Sequence, residues 1–331
     1  MKAVAVGPGQ TLEVREVSDP RPGDGQVVVE VEACGICGSD LHMLPSGVLA
    51  EGSILGHELA GVLSEVGPGV DGWSIGDRVC VYPFAPVDEI DIPTALASGI
   101  GLGTNDGGYA ERMACDANML WRIPAGVELA HGALVEPLAV GLHGIDVSGA
   151  APGQSVCVLG CGPIGAMTLV GLRARGFENV VAIEPNPDRR ELALRLGAAH
   201  ALGLDNVHEA VLGALGGAPP EVVIECAGHV SAPGLAVELI ATEGTIALVG
   251  MLDEPVPISQ LNVMLKEAVL RGSFAYRPKG FDEAVEMLAA GTVPVDDLVT
   301  SRHPLEDAAD CFEELLRPST PELKILLQPQ I

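Results

Sequence analysis

The apolar run Val156-Cys157-Val158-Leu159 is followed at once by Gly160-Cys161-Gly162-Pro163-Ile164-Gly165, and no other stretch limits the fold as strongly. A short strand with no polar position suits a sheet covered on both faces, and the glycines suit a tight turn into a helix beginning at Pro163. In such a turn the first glycine bends the chain, the second admits a pyrophosphate to the backbone, and the third lets helix and strand pack closely. The free N–H groups at the helix start then face the phosphates. Further strands follow at Val180 to Ile183, Val222 to Cys226, Thr245 to Val249 and Ala268 to Phe274, with a helix from about Pro187 to Leu196. This alternation predicts βαβ units in a doubly wound parallel sheet, a Rossmann domain for a dinucleotide.

Glu184 ends the second strand, 24 residues after Gly160. There a carboxylate accepts hydrogen bonds from the adenosine ribose and repels a 2′-phosphate, which favours NAD over NADP. Arg189 and Arg190, just beyond it, weigh slightly the other way.

The first half of the chain reads differently, as short β-segments at Gln26 to Val31, Leu59 to Val66 and Gly76 to Val81, separated by turns. Between Pro83 and Gly108 the chain is rich in Pro and Gly, carries Asp88, Glu89 and Asp91, and lacks periodicity, so it is expected to be a surface lobe. From Gly280 onward a helix over Phe281 to Leu288 and a strand over Leu323 to Leu327 no longer fit the βαβ repeat, and the tail is expected to return to the first domain.

With 331 residues, 48% of them hydrophobic, the chain is long enough for two domains. Its formal net charge of -27 opposes nucleic acid and anionic membranes as partners. An acidic, lysine-poor surface suits high salt, although genome composition explains the preference for Arg equally well. No basic stretch followed by an apolar core opens the sequence, and the uncharged run from Val147 to Leu172 is broken by glycines and prolines of the nucleotide loop. The expectation is a cytoplasmic protein whose eight cysteines are thiols or metal ligands.

Metal-ligand chemistry concentrates in Cys34-Gly35-Ile36-Cys37-Gly38-Ser39-Asp40-Leu41-His42 and in Gly56-His57-Glu58. Thiolate, imidazole and carboxylate together suit zinc, and a catalytic zinc takes three protein ligands while leaving one position open. Cys34 and Cys37 could form a C-x-x-C pair, but no second pair follows.

These segments, with Gly76-Asp77-Arg78-Val79, Gly107-Gly108-Tyr109-Ala110-Glu111, Val135-Glu136-Pro137-Leu138-Ala139, the glycine loop and Arg271-Gly272-Ser273-Phe274, resemble the zinc-dependent medium-chain alcohol and polyol dehydrogenases over essentially the whole chain. The resemblance is to the sorbitol, threonine and butanediol dehydrogenase branch. It implies a β-rich GroES-like catalytic domain over 1–139 and 276–331 around a Rossmann NAD-binding domain over 140–275. It also implies Cys37 and His57 as zinc ligands, Glu58 and Glu136 completing or flanking the shell, Asp40 orienting His57, and Cys34 as a core thiol. A homodimer or homotetramer is implied as well.

Two departures from the family stand out. Tyr82 to Tyr109 contains no cysteine, so the four-cysteine structural zinc of many members is not expected, leaving one catalytic zinc per chain. Ala275 stands where polyol-oxidising relatives often carry an arginine, which favours a smaller or less polar alcohol.

The resulting expectation is hydride transfer from the CH–OH group of a secondary alcohol, diol or polyol-like substrate to NAD. Ser39 would accept the hydroxyl proton and pass it through the nicotinamide ribose to His42, and Val249, Gly250, Met251 and Phe274 would line the nicotinamide pocket. Gly160, Gly162, Pro163, Ile164, Gly165, Glu184 and Arg189 would hold the rest of the cofactor. The competing readings are a zinc-free NAD(P)H quinone or enoyl reductase of the same architecture and a non-catalytic NAD-binding protein.

Overall fold

The computed structural model describes residues 1–85, 98–103, 105–317 and 320–331. Asp88, Glu89 and Asp91, and most of the expected surface lobe, lie outside them. The chain divides into one unit of Met1–Glu136 with Arg277–Ile331 and a second of Pro137–Tyr276.

In the first unit, β1 (Lys2–Val6) and β2 (Leu12–Glu16) form an antiparallel ribbon. A larger sheet is built from β3 (Gln26–Gly35), β4 (Glu58–Val66), β5 (Arg78–Val81), β6 (Arg112–Asp116) and β7 (Leu120–Arg122), on which β6 pairs with β3. Valines at 27, 28, 29 and 31 give β3 the stiff, buried side chains a sheet core needs, and the strand runs past the expected Val31 as far as Gly35. That extension carries the chain to Cys37. Its register places Gly35 opposite Glu58 and Cys34 opposite Leu59. Val29, Val31, Leu59, Leu63, Val79 and Val81 join one apolar core, and burying each such side chain is worth about 1.5–3 kcal/mol.

The chain's tail, with strands β14 (Val299–His303) and β15 (Lys324–Leu327), completes this sheet, because β15 pairs antiparallel with β3 at Leu326 opposite Gly35. The helix Pro278–Ala289 adds Phe281 to a ring cluster whose centroids lie 5.2 Å from Tyr82 and 5.1 Å from Trp121. Trp121 Nε1–H also donates to Asp282 at 2.6 Å.

The second unit holds β8 (Val156–Leu159), β9 (Val180–Ile183), β10 (His200–Leu202), β11 (Val222–Glu225), β12 (Thr245–Leu248) and β13 (Val269–Gly272) in one parallel sheet of order β10-β9-β8-β11-β12-β13. Every residue of β8, β9 and β11 is buried, as continuous apolar runs require when both faces are covered. The last three strands stop one or two residues short of their expected ends, because Cys226, Val249 and Phe274 already belong to the turns above the sheet. Order reverses between β8 and β11, so the loops leaving these strands flank the switch point at which ligands bind. Gly160 turns there with φ +86°, and Pro163 opens the helix Pro163–Ala174. The helix Pro187–Leu196 begins on Asn186, whose side chain accepts from the N–H groups of Asp188 and Arg189, and it stops at Gly197 in the left-handed region. Among the described residues no helix is long and apolar enough to cross a membrane.

Phe281→Ala is expected to cost the first unit about 3–5 kcal/mol. Denaturant unfolding followed by tryptophan fluorescence checks this, and a loss below about 1 kcal/mol would show that the ring cluster is not what seats the returning tail.

Candidate active site

Cys37 is the N-cap of the helix Gly38–Ser46, and its backbone N–H donates to Asp40 Oδ2 at 3.1 Å. The capping box therefore fixes the thiol and turns Asp40 inward, where it is fully buried. Twenty residues on, His57 precedes β4 and Glu58 begins it. The ligand atoms of Cys37, His57 and Glu58 all lie within 4.8 Å of one another.

The imidazole is held from one side. His57 Nδ1 lies 3.6 Å from Asp40 Oδ1, and neither atom has a hydrogen-bond partner among the described residues. Asp40 is itself anchored through Oδ2, which accepts the Tyr109 hydroxyl proton at 2.5 Å. Burial pushes the Asp40 carboxyl upward, while His57, Tyr109 and the Cys37 amide pull it back. For His57 burial works downward, but the charges of Asp40 and Cys37 outweigh it and hold the ring well above the ordinary imidazole range. Nε2 is left facing the site, with Ser39 Oγ at 3.4 Å.

Glu58 is held by a residue that sequence reading does not single out. Lys324, on β15, places Nζ 2.8 Å from Oε1 and 2.6 Å from Oε2, and donates also to the Ile36 carbonyl at 2.9 Å. Both side chains are essentially inaccessible to solvent. Burial alone would lower the lysine's pKa, yet Glu58, joined by the charges of Cys37 and Glu136, outweighs it and keeps it raised. Gly35 makes room for this pair, since a Cβ there would stand 2.2 Å from Glu58 Oε2. The only sequence signal for Lys324 is its position inside an otherwise apolar strand, in a chain with very few lysines. Tyr109 is similarly silent in the sequence beyond its place in the Gly107–Glu111 motif.

Glu136 is buried in the first turn of the helix Val135–Ser148. It falls outside the 4.8 Å group, but its charge bears on both His57 and Lys324. His42 is exposed one helical turn beyond Ser39. Cys34 is fully buried, and burial holds its thiol well above the ordinary range, so it is a poor source of thiolate. A partly open thiol, a ring oriented by a buried carboxylate, and two nearby glutamates fit zinc in donor type and in outer support.

The residues expected to bind the cofactor all lie in the second unit. Glu184 is buried; its Oε2 accepts from the Cys161 N–H at 2.8 Å and its Oε1 from the Asn186 N–H at 2.9 Å. Its carboxylate thus also ties the phosphate loop to the end of β9. Arg189 lies in the first turn of the following helix, and Arg190 donates to the carbonyls of Glu184 and Pro185 at 2.9 and 2.7 Å. Val249 and Gly250 sit at the end of β12 with their N–H groups on the Glu225 carbonyl, while Met251 and Phe274 remain largely exposed. Ala275 adopts φ +51°, an uncommon conformation for alanine.

Residues 23–125 match the alcohol dehydrogenase GroES-like domain, and residues 163–290 match the zinc-binding dehydrogenase family. Sorbitol dehydrogenase of Bos taurus is 32% identical over 95% of this chain and 92% of its own length. The crystal structure of 2R,3R-butanediol dehydrogenase from Bacillus subtilis superimposes with a TM-score of 0.91 at 28% identity, covering 99% of both chains. A Sinorhizobium meliloti protein solved with NADP bound gives 0.89 at 31% identity, again over 99% of both chains. Fold and site together define a zinc-dependent, nicotinamide-dependent oxidoreductase of CH–OH groups. The chain belongs to the zinc-dependent medium-chain alcohol and polyol dehydrogenase family.

Lys324→Met leaves Glu58 as a buried carboxylate without a counter-charge and is expected to cost about 3–5 kcal/mol. Adding Glu58→Gln should recover most of that loss. A double-mutant cycle by denaturant unfolding checks it, and additive losses would show that the two side chains are not coupled.

Proposed function

We propose that the protein oxidises a short secondary alcohol or vicinal diol to the ketone with NAD, reversibly, at one zinc bound among Cys37, His57, Glu58 and Glu136. The observation that carries this reading is the convergence of thiol, imidazole and carboxylate within 4.8 Å. Zinc there would supply a Lewis acid for the alcohol hydroxyl, and NAD the hydride acceptor. Cys37 and His57 contribute the sulfur and nitrogen ligands. Lys324 already engages both oxygens of Glu58, so that carboxylate would be shared between lysine and metal, with Glu136 available to complete the set. Asp40 fixes the ring through Nδ1 and leaves Nε2 for the metal. Ser39 takes the hydroxyl proton, and His42, exposed one turn further along the same helix, delivers it to solvent.

Ala275 offers no cation to a long polyol, which supports a small substrate. The carboxylate of Glu184 supports NAD over NADP, because a 2′-phosphate placed beside it would be repelled. A reducing compartment such as the cytoplasm accords with the eight free thiols. A homo-oligomer is supported by β13, an edge strand flanked by exposed Leu261, Met264, Leu265 and Val269.

Cys37→Ala is expected to abolish zinc binding and turnover while NAD still binds. A panel of secondary alcohols, diols, polyols and hydroxy amino acids should show activity concentrated on the smaller alcohols and diols, at least about tenfold better with NAD than NADP in kcat/KM. Turnover by Cys37→Ala near the wild-type rate would overturn the assignment. For the assembly, Leu265→Glu with Val269→Glu is expected to release monomers by light scattering, and an unchanged mass would exclude this face.

A further inference from the structure

Glu225 is a buried carboxylate that the zinc chemistry does not use. It ends β11 and is 1% exposed. Its Oε1 accepts from the N–H groups of Ala227 at 2.7 Å and Gly228 at 3.0 Å. Its backbone carbonyl accepts from Val249 and Gly250, both at 2.9 Å. Burial pushes the carboxyl pKa up, and the amides of Gly228, Ala227 and Gly250 pull it down. One residue therefore gathers the turn above β11 and the turn above β12.

Those turns approach each other and the phosphate loop closely. A Cβ on Gly250 would meet the Gly228 nitrogen at 2.3 Å and Glu225 Oε2 at 2.8 Å, and a Cβ on Gly160 would meet the Ala227 Cα at 2.7 Å. Two close approaches, Gly160 to Ala227 and Gly228 to Gly250, thus link the three turns at the switch point of the sheet. The Glu225 carboxylate accepts the N–H groups of Ala227 and Gly228 there, and its backbone carbonyl those of Val249 and Gly250.

We infer that Glu225 is a positioning residue for the nicotinamide cofactor, its carboxylate holding the turn at Ala227–Gly228 against the turn at Val249–Gly250, which its backbone carbonyl holds, in the arrangement that the bound dinucleotide requires. The inference rests on the cofactor reading given above. It differs from the role of Glu184, which ties the phosphate loop at Cys161 and can also face the ribose. Glu225 lies beneath the backbone of the turns and acts only through them.

A glutamine at this position separates the two halves of the task. In Glu225→Gln the amide oxygen can still accept from Ala227 and Gly228, while the NH2 group puts a donor in place of the Oε2 that stands beside Gly250. Alanine removes both halves. On the zinc-loaded full-length enzyme, the expected result is a dissociation constant for NAD raised about tenfold in Glu225→Gln, equivalent to about 1.4 kcal/mol. KM for NAD should rise in parallel, with kcat at saturating NAD and zinc content kept within about twofold. Glu225→Ala should be weaker still, and if it fails to fold, Glu225→Gln carries the test. A folded Glu225→Gln that binds NAD as the wild type does would overturn the inference, as would a drop in melting temperature with KM for NAD unchanged. Failure of the wild type itself to bind NAD would instead overturn the cofactor reading beneath it.

Discussion

The buried contact between Lys324 and Glu58 is the constraint on which the metal site depends. Three separate parts of the chain meet in it: β15 brings the lysine, β4 begins with the glutamate, and the turn after β3 supplies the Ile36 carbonyl. Taking both charges out of water is costly, and their attraction offsets that cost only if every donor and acceptor is matched. Here the ammonium reaches both carboxylate oxygens and a carbonyl. Because Cys37 follows Ile36 and His57 precedes Glu58, fixing this contact also fixes the backbone on which both expected ligands stand. The site is thereby attached to strand ends, which hold a ligand geometry more tightly than free loops do.

A second layer orients the side chains themselves. Tyr109 donates to Asp40, Asp40 faces His57, and the helix cap at Cys37 anchors the same carboxylate from its other side. Tyr109, Asp40 and His57 are buried, so none of the three can exchange its partner for water at low cost. The second unit follows a different logic. At its switch point the work falls to glycine backbone and to two buried carboxylates at strand ends, Glu184 and Glu225, that accept backbone N–H groups there. In both units acidic groups act as organisers of backbone or ring as much as reagents.

Much of this was legible in the sequence for identifiable reasons. Continuous apolar runs are unambiguous when both faces of a sheet are covered, which is why β8 and β9 stand at the expected bounds. Cys37, His57 and Glu58 stood out as metal-ligand types within two short segments, and the fold brings their ligand atoms within 4.8 Å of one another. Lys324 was not, since nothing in a sequence says which strand the chain's last strand will lie beside. Its partner is 266 residues away. Glu225 was hidden for a related reason: an acidic residue at a strand end reads as a solvated charge, and only the tertiary approach of the next turn buries it. The extension of β3 to Gly35 was masked because Glu32, Ala33 and Gly35 are poor strand formers, whereas pairing with β4, and with β15 at Cys34 and Gly35, holds the segment in the ladder.

Under the proposed function one zinc would bind through a single sulfur, with nitrogen and oxygen completing its shell. X-ray absorption at the zinc edge of the purified, zinc-loaded protein tests this most directly. One sulfur at about 2.3 Å with nitrogen or oxygen neighbours at about 2.0–2.2 Å, at one zinc per chain, is the expected result. Two or more sulfur neighbours would bring Cys34 back into the site and contradict the account, as would a protein that binds no zinc.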